Sequence, residues 1–162
     1  QRDLSVTTAL MTDDRVVAEL IADGIHVHPA IVRLLVRAKQ TERVALVTNC
    51  IFTAGLPDGR YVRDDKPIVV EGGIPRRETP EGPLAGSALT MGEAFSNIIR
   101  FANVNLLDAA RMASEVPARL LGEERVRGNI MAGTQADLTV LDHDGSVWMT
   151  LVGGRIVYRL DH

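Results

Sequence analysis

The order of apolar and polar positions divides the chain into a first part that reads as α/β and a last part that reads as β. Residues 15–21 form a run in which apolar side chains sit together instead of alternating, as in a strand covered on both faces. Pro29 follows, and a proline in the first turn of a helix sacrifices no hydrogen bond, so it is expected to open a helix over 30–39. In that helix Ile31, Leu34, Leu35 and Ala38 share one face, while Arg33, Arg37 and Lys39 point elsewhere. Residues 44–48 are a second short apolar run of the parallel-strand kind. The stretch 21–49 therefore predicts strand, helix, strand. Before it, residues 4–10 are β-prone and irregular, and Thr12-Asp13-Asp14 signals a turn or a helix cap.

Glycine and proline concentrate in residues 54–81, where 67–71 and 73–77 predict a hairpin excursion. Residues 84–88 lead into a helix over 89–102, with Leu89, Met91, Ala94, Phe95, Ile98 and Ile99 on its buried side. Two further helices are expected at 105–113 and 117–121, stopped by Gly122. From Gly128 the reading is β, over 128–130, 136–141, 146–151 and 155–159, with Gly153-Gly154 as a tight hairpin. Together this predicts α/β with a small β appendage.

Composition narrows the function classes. At 162 residues with 46% hydrophobic content the chain has enough apolar surface for one core. A net charge of −3 argues against a general nucleic-acid surface. The single cysteine, Cys50, permits no internal disulfide and no thiolate metal cluster, which fits a reducing cytoplasm. No apolar run approaches a membrane span, so no membrane partner is expected. Gln1-Arg2-Asp3 does not resemble a secretory leader, and the missing initiator methionine suits a processed product or a piece of a longer chain.

Candidate chemistry gathers at two strand ends. His26 and His28 have the spacing that puts both imidazoles on one face of a strand, a metal-ligand geometry. Pro29 argues the other way, since it draws His28 into a helix-opening turn. The other histidines, His143 and His162, are remote, so no metal site made from this chain alone is expected. His26 reads instead as a polar contact to a substrate, or as a hydrogen-bonded structural histidine. Asn49 closes the second strand; an amide there donates and accepts hydrogen bonds but is no general base. Leu84-Ala85-Gly86-Ser87 precedes a helix whose free N–H groups can hold an oxygen, although small residues there are usually a cap. The segment 128–142 has the pattern G-x-I-x-x-G-x-x-A-D-L-x-V-x-D, a structural device without acid, base or nucleophile.

That pattern resembles the C-terminal signature of the amidohydrolase superfamily. ADGIHVHP, AGLPDGRY, GPLAGSALTM and MASEVPARLLG, in this order, resemble the N-acetylglucosamine-6-phosphate deacetylases within it, over residues 2–157. The resemblance implies the C-terminal portion of a (β/α)8 metal-hydrolase barrel over 1–122, its last two β/α units with a hairpin insertion near 55–80. It also implies strands of a small β-sandwich over 123–162. It implies metal-dependent amide hydrolysis that releases acetate from an amino-sugar phosphate. Asp23, Gly24, Ile25 and His26 match the family's substrate-contacting motif, Arg2 its phosphate-binding arginine, and Leu84, Ala85 and Gly86 its substrate-facing loop. Asn49 falls on the family's catalytic aspartate. The ligands of the divalent metal (zinc, iron or manganese) are expected outside this chain. The isolated chain is therefore expected to be inactive, with the N-terminal half or further copies, as in a homo-oligomer, as partners. The alternatives are a non-catalytic sugar-phosphate-binding or scaffolding fragment, or an amidohydrolase with another substrate.

Overall fold

A computed structural model describes residues 5–161 as a mixed α/β arrangement with three small sheets. The first helix, α1 (Val6–Thr12), occupies the stretch that the sequence marked as β-prone. Its cause is local: the Ser5 hydroxyl accepts the Thr8 N–H at the N-terminus, and this cap outweighs the weak strand preference of Val-Thr-Thr. Asp13 ends it, with its N–H bonded to the Ala9 carbonyl.

Strand β1 (Ala18–Leu20), helix α2 (Pro29–Lys39) and strand β2 (Val44–Leu46) form the predicted parallel unit, with Ala18 opposite Val44 and Leu20 opposite Leu46. Strand β2 is buried throughout, as its continuous apolar run requires, whereas β1 buries Ala18 and Leu20 and exposes Glu19. The helix face differs from the expectation. Val32, Leu35 and Val36 enter the core, whereas Ile31 and Leu34 are about half exposed. Lys39 is also fully buried, and its ammonium donates to the Asp13 carbonyl at 2.6 Å, which ties the end of α2 to the end of α1. A lysine stem can cover apolar surface when its charge finds such a partner.

The excursion contains one more strand than expected: β3 (Gly59–Arg63), β4 (Lys66–Glu71) and β5 (Ile74–Arg77) form an antiparallel meander. Helix α3 (Met91–Ala102) starts at a capping box in which Thr90 and Glu93 satisfy each other's backbone groups. Ala94, Ile98 and Phe101 carry its buried face, and Met91 is exposed instead of buried. The two helices expected at 105–121 are one continuous path: α4 (Leu106–Ala110) passes through a π-helical turn, Arg111–Glu115, into α5 (Val116–Leu120). The core lies between the parallel pair, α2, α3 and this path, with Leu20, Leu46, Ile98 and Met112 nearly inaccessible. Each such side chain contributes roughly 1.5–3 kcal/mol by leaving water.

Residues 128–130, expected as strand, form a bend. A Cβ at Gly128 would come within 2.5 Å of the Ala118 Cβ and 2.9 Å of the Ser114 carbonyl, so the signature's first glycine lets the chain cross α5 closely. The last sheet, β6 (Leu138–Leu141), β7 (Val147–Val152) and β8 (Arg155–Arg159), is antiparallel and turns between β7 and β8 at Gly153-Gly154 as expected.

Candidate functional site

Beyond β1 the chain turns sharply at Asp23. One carboxylate oxygen of Asp23 accepts the N–H groups of Ile25 and His26, each at 2.8 Å, and the other meets His26 Nδ1 at 2.6 Å. Gly24 adopts φ 75°, which a residue with a side chain rarely does, and it rests against the Phe101 ring. Asn97 of α3 holds the same turn from behind, donating to the Ala22 carbonyl at 2.9 Å. Burial pushes the Asp23 carboxyl up, but hydrogen bonds from the His26 ring, the His26 backbone and the Ile25 backbone outweigh it. The carboxyl is thereby held below its ordinary range. An ionised Asp23 accepts, so Nδ1 of His26 carries the hydrogen and Nε2 is the ring nitrogen left for a ligand.

His28 does not join His26. The segment is a turn instead of a strand, and His28 caps α2, its Nδ1 accepting the Ala30 N–H at 3.2 Å. The pairing that the spacing suggested is thus absent, because the proline-opened helix takes the second imidazole. Among the described residues no group of three or more His, Cys, Asp or Glu side chains is placed to hold a metal ion. The Asp23 oxygens are engaged by three donors, and His26 alone is no ligand set. The described residues do not fit a divalent metal by themselves.

At the end of β2, Asn49 adopts φ 48°, a left-handed conformation that asparagine and aspartate tolerate better than most residues. Its side chain is exposed and does not line the cleft described below. Its carbonyl accepts the Ser87 N–H at 2.9 Å, and the Ser87 carbonyl accepts the Ile51 N–H at 3.0 Å. These bonds place Ser87 beside the segment that follows β2 through a parallel bridge between Cys50 and Ser87, where the sequence showed only a lead into a helix. The approach is close: a Cβ at Gly86 would lie 2.5 Å from Ile51 Cγ2 and 3.2 Å from the Asn49 carbonyl oxygen. Only glycine fits there without displacement. On the other side, Ala85 donates to the Pro75 carbonyl at 3.0 Å.

A cleft of about 710 Å³ lies between these parts. Asp23, Ile25 and His26 form one wall; Leu84, Gly86 and Ser87 another; Glu93, Ser96 and Asn97 of α3 a third. The β4–β5 tip and the turn Asp144-Gly145-Ser146 close its ends. Of the residues marked from sequence, Asp23, Ile25, His26, Leu84 and Gly86 line it, whereas Gly24, Ala85 and Asn49 do not. Arg2 lies outside the described residues. Sequence reading missed Glu93, Asn97 and Asp144. The Thr90-x-x-Glu93 capping box was a usable signal for the first, whereas the others come from elements remote in sequence. No lysine or arginine lines the cleft among the described residues.

A model of the amidohydrolase family matches residues 5–157. A protein of Escherichia coli K12 that carries the provisional name N-acetylgalactosamine-6-phosphate deacetylase is 38% identical over 151 residues, 91% of this chain and 89% of that protein. The structure of N-acetylglucosamine-6-phosphate deacetylase from Thermotoga maritima superposes with a TM-score of 0.92 at 37% identity, covering 98% of this chain and 43% of that one. A mutant of the Mycobacterium smegmatis N-acetyl-D-glucosamine-6-phosphate deacetylase, in complex with N-acetyl-D-glucosamine-6-phosphate, gives 0.85 at 36% identity, covering 92% and 39%. The chain thus spans about two fifths of these two solved chains and most of the bacterial relative.

Proposed function

The chain belongs to the amidohydrolase family, and from that premise we propose that it is the substrate-binding C-terminal portion of an N-acetylglucosamine-6-phosphate deacetylase. The observation that carries this reading is the Asp23–His26 pair, preset at a strand end and facing a cleft of sugar size. In this reading His26 Nε2 bonds the substrate, while Asp23 fixes the ring's orientation and tautomer. The backbone of Leu84-Ala85-Gly86 lies along the sugar, and glycine at 86 permits that approach. In this reading the sugar phosphate is held by Arg2 or by a group outside this chain, a guanidinium fork being suited to that anion.

Asn49 occupies the place of the proton-transferring carboxylate. An amide at that position shuttles no proton, so the chain loses the proton transfer while the cleft's own lining is kept. The ligands of the divalent metal (zinc, iron or manganese), whose chemistry is to polarise the amide carbonyl and activate water, belong outside this chain. The parallel pair 18–20 and 44–46, followed by the single parallel bridge between Cys50 and Ser87, supports the barrel-portion reading. The far edge of β1 has no strand partner among the described residues, which supports a complementary half or another copy of the chain as its cover. Cys50 is exposed and free, in keeping with a reducing, cytoplasmic setting.

The name of the bacterial relative favours a second substrate, the galactosamine epimer, at the same site. The test is acetate release from both sugar phosphates with added divalent metal. It compares this chain, its Asn49→Asp form, and a longer form of each that carries the upstream half. The isolated chain is expected to show negligible turnover, and the longer Asn49→Asp protein to release acetate. If that longer protein stays inert and binds neither sugar phosphate, the reading is wrong.

A further inference from the structure

Ser87 is 3% exposed and its hydroxyl is doubly engaged: it donates to the Thr48 carbonyl and accepts the Leu89 N–H at 3.1 Å. Its backbone adds the two bonds to Asn49 and Ile51 already described. One buried residue therefore bonds the strand end at 48, 49 and 51, and also the start of the segment leading into α3. Its hydroxyl is committed to the main chain and has no spare hydrogen for a ligand. We propose that Ser87 is a positioning residue, one that holds the strand end at position 49 and the cleft-lining loop 84–86 in fixed register.

The physical argument is one of contact and constraint. Gly86 lets the loop approach within van der Waals distance of Ile51 and the Asn49 backbone, but a glycine does not hold it there. The backbone bridge at Ser87 consists of two hydrogen bonds at one residue, too short for a strand pair of its own. The hydroxyl converts this contact into a fixed one by satisfying a strand-end carbonyl and a helix-approach N–H together. Sugar binding by a loop backbone needs its groups placed to a fraction of an ångström, so loosening this seam weakens binding without unfolding the chain. The inference rests on the reading of residues 84–86 as a substrate loop.

The test uses the whole 162-residue chain and an NMR titration with N-acetylglucosamine-6-phosphate, together with amide hydrogen exchange before ligand is added. Ser87→Ala is expected to weaken binding about tenfold and to speed exchange at Ile51 and Leu89, with the His26–Asp23 signals unchanged. Ser87→Thr, which keeps the hydroxyl, is expected to restore both readouts. An alanine variant that binds like wild type, or a threonine variant that restores neither readout, overturns the proposal. If wild type itself does not bind, the substrate reading fails. Amide exchange in the three proteins then decides separately whether Ser87 fixes the seam: unchanged exchange in Ser87→Ala overturns that as well.

Discussion

The two strand ends that flank the site are built by different means. After β1, order comes from side chains: Asp23 collects three hydrogen bonds and fixes His26, and Asn97 braces the turn. After β2, order is imposed on the main chain by a neighbouring loop: the backbone at 48–51 is held by the Ser87 backbone and hydroxyl and crowded by Gly86, while the Asn49 side chain is exposed. The lesson is that the first end cannot change identity without losing its structure, whereas the second can. A carboxylate or an amide at position 49 suits the same left-handed backbone, so chemistry can be removed there with the fold intact.

The sharpest way to use this difference is to restore the carboxylate. Asn49→Asp, in a form that includes the upstream half, should raise acetate release by roughly 10²–10⁴-fold, the usual contribution of a general acid–base group. Urea unfolding of the chain should show a stability change within about 0.5 kcal/mol, since nothing but an exposed amide is altered. A large stability loss in Asn49→Asp would break the comparison.

Gly86→Val attacks the backbone-built end where it is tightest. The new side chain must enter space already held by Ile51 and the Asn49 carbonyl, and should cost about 3 kcal/mol, read as a lowered urea midpoint. An unchanged midpoint would mean that the seam is looser than described.

Asp23→Asn tests the side-chain-built end and should cost about 1–3 kcal/mol at neutral pH, because it weakens a bonded, nearly buried carboxylate. The pH dependence has a defined sign. The folded carboxyl lies below its ordinary value of about 3.8, so its stabilisation is present above that value and is lost as pH falls through the depressed one. Melting curves of wild type and Asp23→Asn should therefore converge below about pH 4. Curves that stay equally separated in acid would show that the carboxylate's charge is not the source.

The legible and illegible parts of the sequence follow the same division. The β1–α2–β2 unit was readable because two continuous apolar runs flank a proline-opened helix. The face of α2 was not, since 31-34-35-38 and 32-35-36-39 are both apolar stripes but for Lys39. The Asp13 carbonyl, 26 residues away, with the Asp13 carboxylate near it, makes burial of that lysine tolerable. Helix α1 was hidden because a single cap at Ser5 overrode a weak strand preference. At the site, the Asp-Gly-Ile-His run was visible as a motif, yet its meaning depended on a turn that lets Asp23 reach back to the ring. Ser87 looked like a helix approach, and its partners at 48–51 are too distant in sequence for any local pattern to show them.

The smallest expected effect concerns His28. As a helix cap with a 3.2 Å bond to Ala30, its replacement by alanine should cost about 0.5–1 kcal/mol in thermal stability and leave sugar-phosphate binding unchanged. Loss of binding would return His28 to the site and restore the paired-histidine reading.

The most direct measurement is the ring nitrogen spectrum of the histidines during titration with N-acetylglucosamine-6-phosphate. Before addition, His26 should show hydrogen on Nδ1, set by Asp23. On addition, its Nε2 resonance should move while those of His28 and His143 do not. A His26 ring that carries its hydrogen on Nε2, or that is indifferent to the sugar phosphate, would contradict the account.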